Sequence, residues 1–86
     1  MAKFYWYKNC PKCSQGRLII CENLDKKILY FHCEECEYGF LSKREVVKNR
    51  GFLTLLEELK SEIASWKVIK NYGWEDYALE SFIENE

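Results

Sequence analysis

Cys10-Pro11-Lys12-Cys13 and Cys33-Glu34-Glu35-Cys36 are the stretches that decide the fold of this chain. Each pair of cysteines is followed at the same distance by a glycine, Gly16 or Gly39. Two residues between cysteines let a tight turn direct both sulfurs at one ion, and two such turns have the spacing of a four-thiolate zinc site. We expect each glycine to leave its turn at a positive φ angle, which a residue with a Cβ resists.

The cysteines of the two turns predict a closed, structural metal centre with one Zn²⁺ as cofactor. Its ligands would be Cys10, Cys13, Cys33 and Cys36. Four protein thiolates leave no position for water or substrate, whereas a hydrolytic zinc keeps one position open. Iron also accepts tetrahedral sulfur ligation. Rubredoxin-like turns have a small residue after the second cysteine, a pattern that Ser14 fits and Glu37 does not. We therefore expect zinc rather than iron.

One cysteine and one histidine remain outside this ligand set. Cys21 lies in an apolar stretch, where a free cysteine behaves as a small hydrophobic residue. Replacement of a ligand and a redox role are its alternatives. His32 precedes Cys33 and is expected on the strand surface or as a hydrogen-bond partner of the site. Because the chain has a single histidine and no hydrolase or phosphate-loop motif, the sequence predicts a protein that is not an enzyme.

Length and cysteine usage indicate a small intracellular domain. A chain of 86 residues buries only about 60% of its unfolded surface, so its first half depends on a metal staple. The five cysteines are an odd number, unlike the even set of a secreted disulfide framework. The start has no leader-like apolar stretch, and no run approaches the roughly 20 apolar residues of a membrane span. We expect a cytoplasmic protein with reduced thiols and no membrane partner.

Strand-forming residues surround the two turns. Phe4–Tyr7 leads into the first turn, and Arg17–Glu22 and Ile28–His32 predict a hairpin between the two. Tyr38–Leu41 adds a short strand after the second turn. This order of turn, hairpin and turn resembles the zinc-ribbon family over residues 4–41. The resemblance implies a small antiparallel sheet and says little about activity.

The remaining residues, 42–86, predict helices. Ser42 and Thr54 each stand three residues before a glutamate, as in a capping box. Apolar residues then recur at helical spacing; they are Leu55, Leu56, Leu59, Ile63 and Trp66. Residues 65–72 continue or restart a helix, which Gly73 ends. The tail beyond is either a short helix docked by Trp74, Tyr77 and Phe82 or an interaction tail.

Together these patterns predict an α+β fold. A small antiparallel zinc-ribbon sheet, residues 1–41, is followed by two or three short helices packed on it. The helical part comprises residues 42–86, and we expect both parts to form a single compact domain.

Charge is divided unevenly between the two halves. Residues 1–50 carry ten Lys and Arg against six Asp and Glu, a balance of +4, whereas residues 51–86 have a balance of −5. Four thiolates on Zn²⁺ add a formal −2 to the first half. The acidic second half, rich in aromatic residues, favours a protein-binding module with a basic partner.

A second resemblance implies what kind of protein this partner is. The segments W-Y-K-x-C-P-K-C, C-E-E-C-E-Y-G-F and N-Y-G-W-E-D-Y-A-L resemble small bacterial zinc-ribbon proteins, some of them immunity proteins of contact-dependent or polymorphic toxin systems. The resemblance implies that the chain binds and neutralises a cognate toxin, often a nuclease. The candidate partner-binding residues are Trp74, Glu75, Asp76, Tyr77, Glu80 and Glu84. The acidic ones would mimic phosphates, and a solvated tail is the alternative.

Nucleic-acid binding, linked to transcription or translation, is the alternative function. The ribbon carries basic residues and aromatic rings suited to stacking; they are Lys3, Lys8, Lys12, Arg17, Lys26, Lys27, Tyr5, Trp6 and Tyr30. The acidic half would repel phosphates. The sequence therefore favours a protein partner.

Overall fold

The computed structural model describes residues 2–54, 61–78 and 80–84. Within these ranges the chain forms seven strands, two short α-helices and one 3₁₀ helix. The elements are β1 Ala2–Asn9, β2 Arg17–Asn23, β3 Ile28–Cys33, β4 Tyr38–Phe40, α1 Lys43–Val47, β5 Phe52–Leu53, β6 Ser61–Ile63, α2 Trp66–Asn71, the 3₁₀ helix Glu75–Tyr77 and β7 Glu80–Glu84. No helix in this described part is long and apolar enough to cross a membrane.

The strands form one antiparallel sheet with β2 near its centre. The order along the sheet is β5-β4-β3-β2-β1-β7, and β6 also pairs with β2. On one edge β2 pairs with β3 from Leu18↔Cys33 to Asn23↔Ile28. Its other edge is shared, because β1 pairs with the first part, as in Trp6↔Ile19, and β6 with the last part. The C-terminal half is thus built into the ribbon sheet.

The principal core lies on one side of the sheet, which we call the core face. It contains alternate residues of β2 and β3, such as Ile20 and Phe31, and one buried residue from each α-helix, Val46 and Ile69. The Phe31 ring lies 4.8 Å from the Trp74 ring, measured between centroids. This contact brings the segment after α2 onto the sheet.

The opposite side, which we call the outer face, carries a second cluster. Its buried residues are Ile19, Cys21 and Tyr30, and its partly buried members are Phe4, Trp6, Phe52 and Phe82. Every one of these residues comes from a strand. The alternation of side chains along a strand places them opposite the principal core.

Both α-helices begin at a serine cap. The Ser42 hydroxyl accepts a hydrogen bond from the Glu45 backbone N–H at 3.3 Å, which confirms the predicted start of α1. The Ser65 hydroxyl accepts one from the Val68 N–H at 3.3 Å. Beyond α2 the chain turns at Gly73, with φ +74°, which confirms the predicted helix end.

The α+β class and the small antiparallel sheet are confirmed, and the described residues contain two short α-helices, but residues 42–86 also contribute strands β5, β6 and β7 to the sheet. The positions Leu55, Leu56 and Leu59 of the predicted apolar stripe lie outside the described residues. Ile63 belongs to β6, which pairs with β2, and Trp66 starts a separate helix. The last part of β2 would otherwise present an unpaired edge, and pairing it outweighs the helical pattern of Ile63.

The C-terminal tail begins with a short helix, as one of the predicted forms has it, but it ends as a strand. Glu80–Glu84 is strand β7, paired with β1 from Ala2↔Glu84 to Trp6↔Glu80. Trp74 and Tyr77 do dock on the core face, as predicted. Phe82 lies on the outer face instead, where its ring stacks on Phe4 at 4.8 Å. The cross-strand aromatic pair stabilises this strand.

Candidate metal centre

The four predicted ligands meet between the two turns. The Sγ atoms of Cys10, Cys13, Cys33 and Cys36 all lie within 4.8 Å of one another. Cys10 and Cys36 are 3.7 Å apart at Sγ, and Cys13 and Cys33 are 3.6 Å apart. A tetrahedral ion with Zn–S bonds of about 2.3 Å requires sulfurs about 3.8 Å apart. The four cysteines can therefore hold one metal ion.

These distances exclude disulfides among the four sulfurs. A disulfide has an S–S bond of about 2.05 Å, and all five cysteines of the chain are free. Cys10 and Cys33 are buried, whereas Cys13 and Cys36 are partly exposed. The strands supply this arrangement, because Cys33 ends β3 and Cys10 follows β1 directly.

The turns reverse the chain at a different residue from the one predicted. Ser14 and Glu37, each directly after the second cysteine of its turn, have φ of 60° and 62°. Among described glycines, only Gly73 has a positive φ. The prediction for Gly16 and Gly39 was wrong because the chain already reverses two residues before each glycine, at Ser14 and Glu37.

Glycine is required at positions 16 and 39 because neighbouring atoms leave no room for a Cβ. A Cβ on Gly16 would overlap the Cys33 Sγ atom and lie 3.0 Å from the Glu35 Cβ. A Cβ on Gly39 would lie 2.7 Å from the Phe52 ring. Gly16 therefore allows the first turn to approach a sulfur of the second.

Hydrogen bonds from backbone N–H groups lower the pKa of the cysteine thiols, whereas burial raises it. Hydrogen bonds from the backbone N–H groups of Gln15 and Gly16 lower the pKa of Cys13 to about 6. Burial raises the pKa of Cys33 to about 12, although its Sγ accepts N–H groups of Glu35 and Cys36, both at 3.4 Å. A bound divalent cation supplies the positive charge that makes a buried thiolate stable.

An interaction between Arg17 and Glu34 was not predicted from the sequence. The guanidinium Nη2 donates to Glu34 Oε1 at 2.9 Å, and the Arg17 backbone N–H donates to Oε2 at 3.0 Å. The Glu34 N–H donates in turn to the Arg17 carbonyl at 3.2 Å. The side-chain hydrogen bond from Arg17 is the main reason that the pKa of Glu34 is lowered. No local pattern indicated this pair, because Arg17 and Glu34 are 17 residues apart in the sequence.

His32 lies beside the centre as a hydrogen-bond partner. Its Nε2 atom is 3.0 Å from Glu37 Oε2 and 3.3 Å from Thr54 Oγ1. Thr54 Oγ1 also donates to the Glu37 carbonyl at 2.6 Å. His32 and Thr54 thus fix the residue that follows Cys36, in agreement with one of the roles expected for His32.

Cys21 is separate from the four ligands. It is 7% exposed on the outer face, beside Ile19 and Tyr30. Burial raises the pKa of its thiol to about 12. Cys21 therefore packs as a small apolar side chain does.

The candidate partner-binding residues fall into two groups. The rings of Trp74 and Tyr77 lie 4.8 Å and 6.0 Å from the Phe31 ring and are partly buried. Glu75 and Asp76 are exposed on the 3₁₀ helix between them. The other acidic candidates lie on β7, where Glu80 is exposed opposite Trp6 and Glu84 is opposite Ala2.

A scan of protein-family models and searches of curated proteins and of solved structures found no match to this chain. Its interpretation therefore rests on its own residues and their geometry. The cysteine cluster is consistent with a zinc-ribbon-like segment.

Proposed function

We propose that this chain is a non-enzymatic module in which one structural Zn²⁺ fixes a scaffold that binds a protein partner. The observation that carries the proposal is the set of four Sγ atoms within 4.8 Å of one another. Four thiolates complete a tetrahedral ion, so the metal offers no position for substrate. Its role is then to join the two turns, since metal-binding energy in such sites is folding energy.

The exposed acidic residues of the second half support a basic partner. Glu75 and Asp76 project from a short helix whose flanking rings, Trp74 and Tyr77, pack against the core. The acidic pair is therefore held on a rigid support, which reduces the entropy lost on binding. Glu80 adds a further exposed carboxylate three residues after Tyr77.

The specific form of this proposal is toxin neutralisation. The chain would bind a basic toxin domain and cover its substrate groove, with Glu75, Asp76 and Glu80 in the places of nucleic-acid phosphates. Electrostatic complementarity of this kind accelerates association and excludes other partners. The support for this form is the exposed acidic surface, whose charge is complementary to that of a basic toxin domain.

The test first asks whether a gene beside that of this chain encodes a basic toxin domain, and then mixes that domain with the zinc-loaded chain. We expect a complex of equal stoichiometry in calorimetry and loss of toxin activity at that ratio. Glu75→Lys combined with Asp76→Lys and Glu80→Lys should weaken binding strongly, with the zinc content unchanged. Glu35→Lys is the matched control, because Glu35 is exposed on the second cysteine turn. Full inhibition by the triple variant would overturn the proposed surface, and absence of any complex would overturn toxin neutralisation.

Nucleic-acid binding remains a second candidate because of one observation. Lys43, Arg44 and Lys48 are exposed around α1 and have no ion pair within the described residues. By contrast, Arg17 is tied to Glu34, and Lys8 and Lys12 lie over the rings of Tyr7 and Tyr38 at 4.7 Å and 4.4 Å. Retention on an RNA column that falls steeply with salt, and is lost in Lys43→Glu/Arg44→Glu, would favour this candidate.

A further inference from the structure

The outer face contains an open cavity that the metal centre does not use. Its volume is about 310 Å³, at the lower end of the range for small-molecule sites. It lies between β3, the start of β6 and the residues next to β4 and β5. Polar side chains dominate its lining; they include Cys21, Tyr30, His32, Glu37, Thr54 and Ser61. No lysine or arginine lines it within the described part of the chain.

Two of the residues that line this cavity are buried and carry a polar group. Tyr30 is 3% exposed and Cys21 is 7% exposed, although both line the cavity. The Tyr30 hydroxyl interacts with the Ser61 side chain. The Cys21 thiol has no hydrogen-bond partner among the described residues.

A fixed carboxylate lies at the side of the cavity. The Oε2 atom of the Glu37 carboxylate lies within hydrogen-bond distance of His32 Nε2, at 3.0 Å. The Glu37 backbone carbonyl accepts two hydrogen bonds from Thr54, one from its backbone N–H at 3.1 Å and one from its hydroxyl at 2.6 Å. The second carboxylate oxygen, Oε1, has no partner within the described residues. The His32 contact orients the carboxylate and leaves this oxygen able to accept a further hydrogen bond.

We propose that this cavity binds an organic cation, an ammonium or guanidinium group, with Glu37 as its counter-ion. The hydroxyl groups of Tyr30, Ser61 and Thr54 supply further acceptors for its N–H donors. A charge-assisted hydrogen bond to a held carboxylate is stronger than a neutral one. The site is additional to the proposed partner surface, because Glu75, Asp76 and Glu80 do not line it. The cation is carried either by a free amine or by a Lys or Arg side chain of a partner.

The test is an NMR titration of the zinc-loaded, ¹⁵N-labelled chain with n-butylguanidinium. Its neutral match is n-butylurea, which has a similar shape and no charge. We expect saturable shifts of the amides of Glu37, Thr54 and Ser61 with the cation and none with the urea. A blocked Gly-Arg-Gly peptide then distinguishes a free small-molecule cation from an Arg side chain of a partner protein. If the peptide binds, a side chain on a polypeptide can enter the cavity. If only n-butylguanidinium binds, the ligand is a free cation.

Three variants complete the test. Glu37→Gln should weaken n-butylguanidinium about tenfold, the effect of one charge-assisted hydrogen bond. Glu35→Gln, on the same turn but outside the cavity, should bind as wild type does. Ser61→Phe should fill the cavity and abolish the shifts while retaining the zinc. Equal binding of the urea, unchanged affinity in Glu37→Gln or no saturable shift with the cation would overturn the site. None of these results bears on the zinc or on the toxin complex.

Discussion

Arg17 and Glu34 join the two cysteine turns through both side chain and backbone. The guanidinium donates to the carboxylate at 2.9 Å, and the Glu34 N–H donates to the Arg17 carbonyl at 3.2 Å. The guanidinium carbon also lies 3.7 Å from the centre of the Phe82 ring. The start of β2, the second cysteine turn and β7 are thus connected at one residue, Arg17.

Glu34→Gln should lower the free energy of unfolding of the zinc-loaded chain by about 1 kcal/mol at pH 7. The value is modest because the side chains of Arg17 and Glu34 are 35% and 25% exposed, so solvent screens the pair. Urea unfolding of both chains measures the difference. Glu35→Gln should leave stability unchanged, and an equal loss in both variants would show that the pair contributes nothing specific.

The stabilisation that Glu34 gives to the folded chain should also decrease in acid. Its pKa is lowered in the folded chain, so its stabilisation is present above the unfolded pKa of about 4.3 and is lost as the pH falls through the folded pKa. The stability difference between wild type and Glu34→Gln should therefore be constant from pH 7 to 5 and close in stronger acid. A difference that widened in acid would contradict this sign.

Cys13→Ser and Cys33→Ser should each lose stoichiometric metal and unfold the ribbon. The reason is that apparent zinc-binding energies of about 10 to 16 kcal/mol act as folding energy in sites of this kind. Elemental analysis and circular dichroism measure the two effects. Cys21→Ser is the control and should retain one zinc per chain, because Cys21 lies outside the ligand cluster. Equal metal loss in Cys21→Ser would show that the ligands are assigned wrongly.

Gly16→Ala should weaken metal binding, since its Cβ would overlap the Cys33 Sγ atom. Competition with a coloured zinc chelator measures the affinity. Gly73→Ala is a matched control, because Gly73 has φ +74° and open space around it. It should lose about 1 kcal/mol of stability and no zinc affinity. Equal zinc affinity in Gly16→Ala and wild type would show that the close approach of the two turns at Gly16 is not needed for metal binding.

Cys21 should make the chain less stable in alkali. Its pKa is raised from 9.0 to about 12 by burial, so the unfolded chain ionises first as the pH rises. The stabilisation is complete below the unfolded pKa and is lost between that value and the folded one, by about 1.4 kcal/mol per pH unit. Urea unfolding from pH 8 to 10 should show a steeper loss for wild type than for Cys21→Ala. Parallel curves would place Cys21 in a more polar environment.

The ligand cluster and the central hairpin were predictable because their signals are local. Two residues between cysteines limit where sulfurs can point, and the apolar stretches around Ile20 and Phe31 are typical of buried strands. The spacing of Ser42 and Glu45 likewise indicated the start of α1. These features depend on residues within a few positions of one another, so a single sequence contains them.

The pairings over long sequence separations were not predictable in this way. Ile63 fits a helical pattern, but it pairs with Cys21 in the sheet. Phe82 was grouped with Trp74 and Tyr77, but the pairing of β7 with β1 turns it to the opposite face. Which strand completes an exposed edge depends on the whole fold rather than on local periodicity. The Arg17–Glu34 tie was missed for the same reason.

The pairing of β1 with β7 places Ala2 opposite Glu84. The first and last described residues therefore leave the sheet at the same corner, and a short glycine linker can connect them into a covalent ring. New ends opened in the exposed turn at residues 24–27, between β2 and β3, would yield a circular permutant with both cysteine turns intact. Such a rearranged chain would carry a fluorescent label or a fused domain at the turn between β2 and β3 instead of at the ends of β1 and β7.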